Sequence, residues 1–435
     1  MEMNYFLWVA VALFAGLMFT RVFKKLNLNF PDVTAFLIAG LLIGPYCLGR
    51  LGVHGFGFRT AEEVGHLSMV NNAALGFIAF SIGSEFKLEE LKHTGRQATV
   101  IGILQALAAT LLVDAVLIAL HFILGGDVLP LPACITLGAI AAATAPAATL
   151  MVVRQYKAEG PLTKLLLPIV ALDDAVGLVI FSVSFGVAQA MLGGALSVTS
   201  VAIEPLLEIV CSLALGSILG FVMSRLEKLF YSNTNRLSMT ISFVLLTVAL
   251  SFLKIPVGEV TISFSCLLVC MMLGTVFVNC AEFSDDIMYR AEKWTAPLTA
   301  CFFVISGAEL ELNVFARWEY VVIGVCYLIA RSAGKYFGAR ESARMTRCGH
   351  SVVKYLGITL LPQAGVALGM CNAAQALGGD EASLIRNVTL FGVFIYELVG
   401  PLLTRNALTA AGEIKQKPGE KMDRTRFGKA GKKPA

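Results

Sequence analysis

LLLPIVALDDAVGLVIFSVSFGVAQAML, Leu165–Leu192, sets two adjacent carboxylates, Asp173 and Asp174, inside an otherwise apolar run. No other charged residue occurs between Leu165 and Ile203. A run this long and apolar reads as a helix that crosses a lipid bilayer. An ionised carboxylate is costly there unless something compensates it. Acids at that depth therefore mark places where a cation or proton binds and moves.

The rest of the chain has the same character. Of 435 residues, 57% are hydrophobic and only 15% charged, and the mean hydropathy is +0.76. A soluble chain of this length would carry about 25% charge. The spacing of apolar runs predicts thirteen membrane segments: 5–23, 31–49, 63–84, 97–124, 130–154, 163–192, 198–226, 237–253, 257–279, 294–310, 318–345, 352–378 and 385–410. The first lacks a basic leader and a cleavage site, so it reads as a retained helix. The odd-numbered loops hold Arg21, Lys24, Lys25, Lys87, Lys92, Arg96, Arg154, Lys157, Arg225, Lys228, Arg236, Arg290, Lys293 and Arg347. The even-numbered loops hold little beyond Arg50, Arg59, Lys254 and Arg317. The positive-inside rule then predicts an outer N-terminus and a cytoplasmic C-terminus, with the protein in the cell's inner (plasma) membrane. Residues 411–435 read as a basic, disordered cytoplasmic tail.

Two predicted helices are interrupted. One contains Thr144-Ala145-Pro146, the other Pro362-Gln363-Ala364-Gly365. Proline removes a backbone donor and glycine adds freedom. Bare backbone at membrane depth is tolerated only around a protein-lined or wet cavity, and paired breaks point to a transporter's binding site. Ala145, Pro362, Asp173 and Lys335 each lie nine or ten residues from the inner end of their segments. At about 1.5 Å per residue all four sit about 15 Å deep, near the bilayer's middle.

These residues resemble the monovalent cation/proton antiporter superfamily, in particular its mainly bacterial second branch. The resemblance runs to about residue 410. It rests on Pro31–Pro45 with Gly40 and Gly44, on Thr144–Thr149, on Lys157–Lys164, and on Asp173-Asp174. Phe303–Leu310, Lys335–Gly338 and Glu397–Arg405 complete it. It implies an all-α membrane protein with about 13 transmembrane helices, an inverted repeat of two six-helix halves, and two crossed broken helices. The core would comprise roughly 97–192 and 318–410, and dimerisation helices roughly 5–84 and 237–310, in a homodimer. It further implies that Asp174 binds the ion, that Asp173 pairs with Lys335, and that an adjacent Asp-Asp goes with electrogenic sodium/proton exchange. Related sequences often place Ser or Asp where this chain has Ala145, which leaves coordination of Na+ to Asp174, Thr144 and backbone carbonyls.

The residues suggest a mechanism. Burial and a neighbouring like charge both favour a protonated carboxyl, and burial disfavours an unpaired ammonium. Asp173, Asp174 and Lys335 are expected to titrate as a coupled unit. Sodium at Asp174 would disrupt the Asp173–Lys335 pair, releasing two protons per sodium. A small hard cation is served by carboxylate, hydroxyl and carbonyl oxygens.

Other polar groups are weaker candidates. Asp114 and Glu397 are accessory acids with structural readings, and Arg331 is a possible partner for Glu397. Glu85 and Glu309 could line a vestibule. Asp285-Asp286 reads as a solvated cluster, and Asn71 and Asn72 as interhelical hydrogen-bonding groups. The Gly40/Gly44, Gly216/Gly220 and Gly334/Gly338 pairs suit close helix packing, within the chain or, for the first, at a dimer interface. Scattered cysteines and histidines show no ligand spacing, so no cofactor or structural metal is expected.

The function expected is exchange of sodium or lithium for protons by an elevator-like alternation. A potassium/proton antiporter on the same fold is the alternative, and a sodium-coupled organic-anion symporter a further one. Diphosphate-binding enzymes want acids spaced along one helical face, as in DDxxD. No acid follows Asp174 at that spacing, so an enzyme is not expected, and no nucleic-acid surface is visible.

Overall fold

The computed structural model describes residues 5–26, 30–51, 57–84, 86, 88–192, 203–257, 260–282, 284–310 and 318–414. Glu85, the side chain of Asp285 and the tail from residue 415 lie outside them.

Sixteen α-helices account for most of the described chain. They are α1 (Tyr5–Lys25), α2 (Asp32–Ile43), α3 (Ala61–Gly65), α4 (Ser68–Gly83), α5 (Leu88–Leu124), α6 (Leu131–Ile140), α7 (Pro146–Tyr156) and α8 (Pro161–Met191). There follow α9 (Glu204–Leu226), α10 (Asn233–Ser251), α11 (Cys266–Cys280), α12 (Ser284–Glu309), α13 (Trp318–Met345), α14 (His350–Thr359), α15 (Gly365–Ala374) and α16 (Gly379–Ala410). A two-stranded antiparallel hairpin, β1 (Ile255–Val257) and β2 (Val260–Ile262), joins α10 to α11. Seven helices are long and apolar enough to cross a membrane, among them α5, α8 and α16.

The helices pack as two bundles. In the first, α5 lies along α13 and α8, and α16 along α13, α14 and α15. In the second, α12 packs on α2 and α4, and α11 on α9 and α4. The first bundle repeats one arrangement twice: a long helix, a broken helix, a long helix. These are α5, α6/α7, α8 and then α13, α14/α15, α16.

Both breaks contain a proline. Pro146 starts α7, where its missing amide costs nothing and its fixed φ suits a first turn. The same missing amide ends α6, because it cannot reach the carbonyl of Ala142. Pro362 lies in the second interruption, between the end of α14 at Thr359 and the start of α15 at Gly365.

Close backbone contacts need residues without a side chain. A Cβ on Gly40 would lie 1.9 Å from the Val304 carbonyl oxygen of α12, so Gly40 serves packing within the chain. A Cβ on Gly334 would lie 2.6 Å from Ala109 Cα, which lets α13 press against α5 beside Lys335.

The basic connections converge on one side of the molecule. There the Asp32 amide donates to Gln155 at 2.8 Å, and Gln97 donates to the Thr346 carbonyl at 3.0 Å. At the same side the Leu162 amide donates to Glu413 at 2.6 Å. This side, marked by Arg154 and Lys157, is here termed the basic side.

Candidate functional site

The two breaks cross and touch. The Ala145 amide donates to the Pro362 carbonyl at 2.8 Å, so each interrupted helix supplies a partner for the other. The remaining bare carbonyls are taken by buried side chains, Lys335 and Arg331 of α13 and Gln363 of the second break. Lys335 Nζ donates to Ala142 O at 2.6 Å, the carbonyl that Pro146 cannot serve. Arg331 donates to Ala141 O at 3.0 Å, Ala143 O at 2.6 Å and Leu361 O at 2.7 Å. Gln363 donates to Ile140 O at 2.9 Å and bonds the Tyr327 hydroxyl. Every one of these donors is fully buried. An unsatisfied backbone group at this depth would cost a few kcal/mol, which explains why so many donors are spent here.

Asp173 and Asp174 reach the crossing from α8, and their environments differ sharply. Asp173 is completely buried and well served. Lys335 Nζ lies 2.8 Å from its Oδ2, Thr144 donates to the same oxygen at 2.5 Å, and Gln105 of α5 donates to Oδ1. Lys335 also donates to Thr144 Oγ1 at 2.9 Å. Asp174 is 2% exposed, yet neither of its carboxylate oxygens has a hydrogen-bond partner among the described residues. A buried carboxylate without donors is stable only if it is neutral or if a cation sits against it.

The expected cluster is therefore assembled: Asp173, Asp174, Thr144, Lys335 and both breaks share one place. Some expected roles shift. The Thr144 hydroxyl is occupied by Asp173 and Lys335 rather than directed to Asp174. Gly365 forms the start of α15. Arg331 does not pair with Glu397: its guanidinium serves three carbonyls and stacks over Tyr396 at 4.4 Å, because a broken helix needs donors more than a neighbouring acid needs a cation. Glu397 is buried, its Oε2 is unpartnered among the described residues, and Glu309 is near enough to interact with it electrostatically. Asp114 of α5 packs against Gly138 of α6. Asp286 is exposed and pairs with Arg290 at 2.9 Å.

Gln105 was not anticipated. The available signal was a lone amide in the apolar run IGILQALAATLL, Ile101–Leu112, where a polar side chain must find a partner inside the protein.

A cavity of about 310 Å³ runs beside α7. Ala147, one residue beyond Pro146, lines it, as do Arg154 and Gln155 in the last turn. The seven steps from Ala147 to Arg154 span about 10 Å of helix, from beside the crossing toward the basic side.

Comparisons with known proteins agree with this geometry. A search of curated protein sequences finds no match. Among solved structures, the sodium proton antiporter MjNhaP1 from Methanocaldococcus jannaschii at pH 8 is similar, with TM-score 0.66 at 20% identity over 94% of this chain and 97% of that one. An electron-microscopy structure of the same antiporter gives TM-score 0.72 at 17% identity, over 96% of this chain and all of that one. At such identities the likeness concerns the fold alone. The family model described as sodium/hydrogen exchanger, transmembrane, matches residues 9–409, and with nearly the whole chain so covered the protein belongs to the sodium/hydrogen exchanger family.

Proposed function

We propose that the protein is a secondary antiporter that exchanges sodium or lithium for protons, with Asp174 as the shared carboxylate. One observation carries this reading. Of two adjacent buried acids, Asp173 is held by Lys335, Thr144 and Gln105, and Asp174 has no hydrogen-bond partner among the described residues. A cation would approach Asp174 from the cavity beside α7, and a crossing carbonyl whose buried donor shifts on binding would supply a further oxygen ligand.

Binding of the cation at Asp174 expels its proton and weakens the Asp173–Lys335 pair. Lys335 then loses a second proton, which makes exchange electrogenic. Thr144, released from that pair, becomes free to turn its hydroxyl to the cation. The two long–broken–long units form an inverted repeat. Their bundle is the moving core, and the bundle containing α2, α4, α11 and α12 is the scaffold of a homodimer. The basic side faces the cytoplasm of a cell whose inner membrane holds the protein.

The test is proton movement in proteoliposomes on addition of sodium, lithium or potassium. Wild-type protein should couple sodium to protons, and Asp174→Asn should abolish the coupling. Undiminished exchange in that variant would remove Asp174 from its role. A wild-type response to potassium alone would replace sodium as the substrate.

A further inference from the structure

The last turn of α7 is bonded across the boundary to three helices of the other bundle. Arg154 Nη2 lies 2.8 Å from Glu292 Oε1 of α12 and donates to the Ser81 carbonyl of α4 at 3.4 Å. Gln155 Oε1 accepts from the Asp32 amide, at the start of α2, at 2.8 Å. The three partners Glu292, Ser81 and Asp32 line the cavity beside α7 together with Arg154, Gln155 and Ala147, the last one residue beyond Pro146. Farther along the boundary the contacts are apolar: Ala145, Ala147, Ala148, Leu150, Leu167 and Ala171 pack against the other bundle. Apolar surfaces can slide and re-pack, because their attraction has no direction. Hydrogen bonds and an ion pair lose their geometry after a shift of an ångström or two.

We infer that Arg154 and Gln155 form a latch that holds the site open to the basic side. The inference rests on the reading that the core moves against the scaffold during exchange. Because α7 is a separate half-helix that begins at the crossing, a bond at its last turn acts directly on the element that carries the site. The latch must be weak enough to release in every cycle. The Arg154 and Glu292 side chains are 25% and 39% exposed, and a pair so exposed is worth a factor of about two to five in population.

That factor has a signature. An apparent affinity is weakened by the fraction of molecules in the state that can bind. Loosening the latch should therefore raise the half-saturating sodium concentration on the basic side and lower it on the other. Damage to the site or the fold would move both the same way. The experiment measures sodium-driven proton movement with sodium on either side of oriented proteoliposomes, for Glu292→Gln, Gln155→Ala and the charge exchange Arg154→Glu with Glu292→Arg. The first two should shift the two constants oppositely by about two- to fivefold, and the exchange should restore them. Constants that stay put, or that move together, would overturn the latch.

A second measurement needs no transport. A cysteine at Thr299, which lines the cavity, is labelled with a membrane-impermeant thiol reagent against the parent protein as background. Labelling from the basic side should slow when Glu292→Gln is added. Slower labelling in a protein that moves no protons would keep the latch and defeat the antiport reading. Unchanged labelling would defeat the latch alone.

Discussion

Lys335 Nζ lies 2.8 Å from Asp173 Oδ2, and neither side chain has any exposed surface. Burying two charges is expensive, and a pair of this kind contributes less through its attraction than through the penalty of breaking it. Lys335→Met or Asp173→Asn alone should each destabilise the protein by about 3–5 kcal/mol, because each leaves one buried charge or its donors uncompensated. The double variant should cost clearly less than the sum. A thermal unfolding cycle in detergent measures this, and strict additivity would mean that the two residues do not act as a pair. Either single variant should also lower the charge moved per cation in proteoliposome current recordings.

Arg331 serves three carbonyls from two chain breaks. Arg331→Met should destabilise by about 4 kcal/mol, since each orphaned buried carbonyl costs about 1–3 kcal/mol. Arg331→Lys should recover little of this, as a single ammonium cannot reproduce the planar fork. The shift in melting temperature of the purified protein checks it, and a loss under about 1 kcal/mol would show that water replaces the guanidinium.

Gln105 holds the oxygen of Asp173 that Lys335 does not reach. Gln105→Leu should leave a folded protein with exchange slowed severalfold. Gln105→Glu should abolish exchange, because it sets a second carboxylate against Asp173. Initial rates of sodium-driven proton movement read both variants. Equal, wild-type rates would reduce the amide to packing.

Glu413 caps the helix that bears the acids. Its carboxylate accepts from the Leu162 amide at 2.6 Å, the Thr163 amide at 2.8 Å and the Thr163 hydroxyl at 2.6 Å. The first amides of a helix have no preceding turn of carbonyls to accept from them, and a negative group there also meets the positive end of the helix dipole. Glu413→Ala should cost about 1–2 kcal/mol. Hydrogen exchange at Leu162 and Thr163 should quicken in the variant while amides around Asp174 keep their protection. Uniform protection throughout would mean that the cap is redundant.

Much of the site was legible because membranes make polar residues conspicuous. Asp173, Asp174, Lys335 and Arg331 stand out in apolar runs, and Pro146 and Pro362 announce their breaks. Counting residues from the inner ends put Ala145, Pro362, Asp173 and Lys335 at one depth, and they do meet. Residue counts along a helix determine height but not rotation. Sequence therefore could not tell which way Arg331 points, and its pairing with Glu397 does not occur. Nor could it say that Gln105 faces Asp173, because an amide in an apolar run has several helices to choose from.

From its sequence alone, then, the chain determined that it crosses a bilayer repeatedly, where its helices break, and which charges lie at the breaks. The cause is the absence of water in that medium, which confines backbone to helices and charge to sites that compensate it. The tertiary structure alone decided the division of labour between the two aspartates. Adjacent residues on a helix point about 100° apart, so one turned toward Lys335, Thr144 and Gln105 while the other has no donor among the described residues. That asymmetry comes from how α5, α8 and α13 are rotated against one another, a property of packing that no single segment encodes.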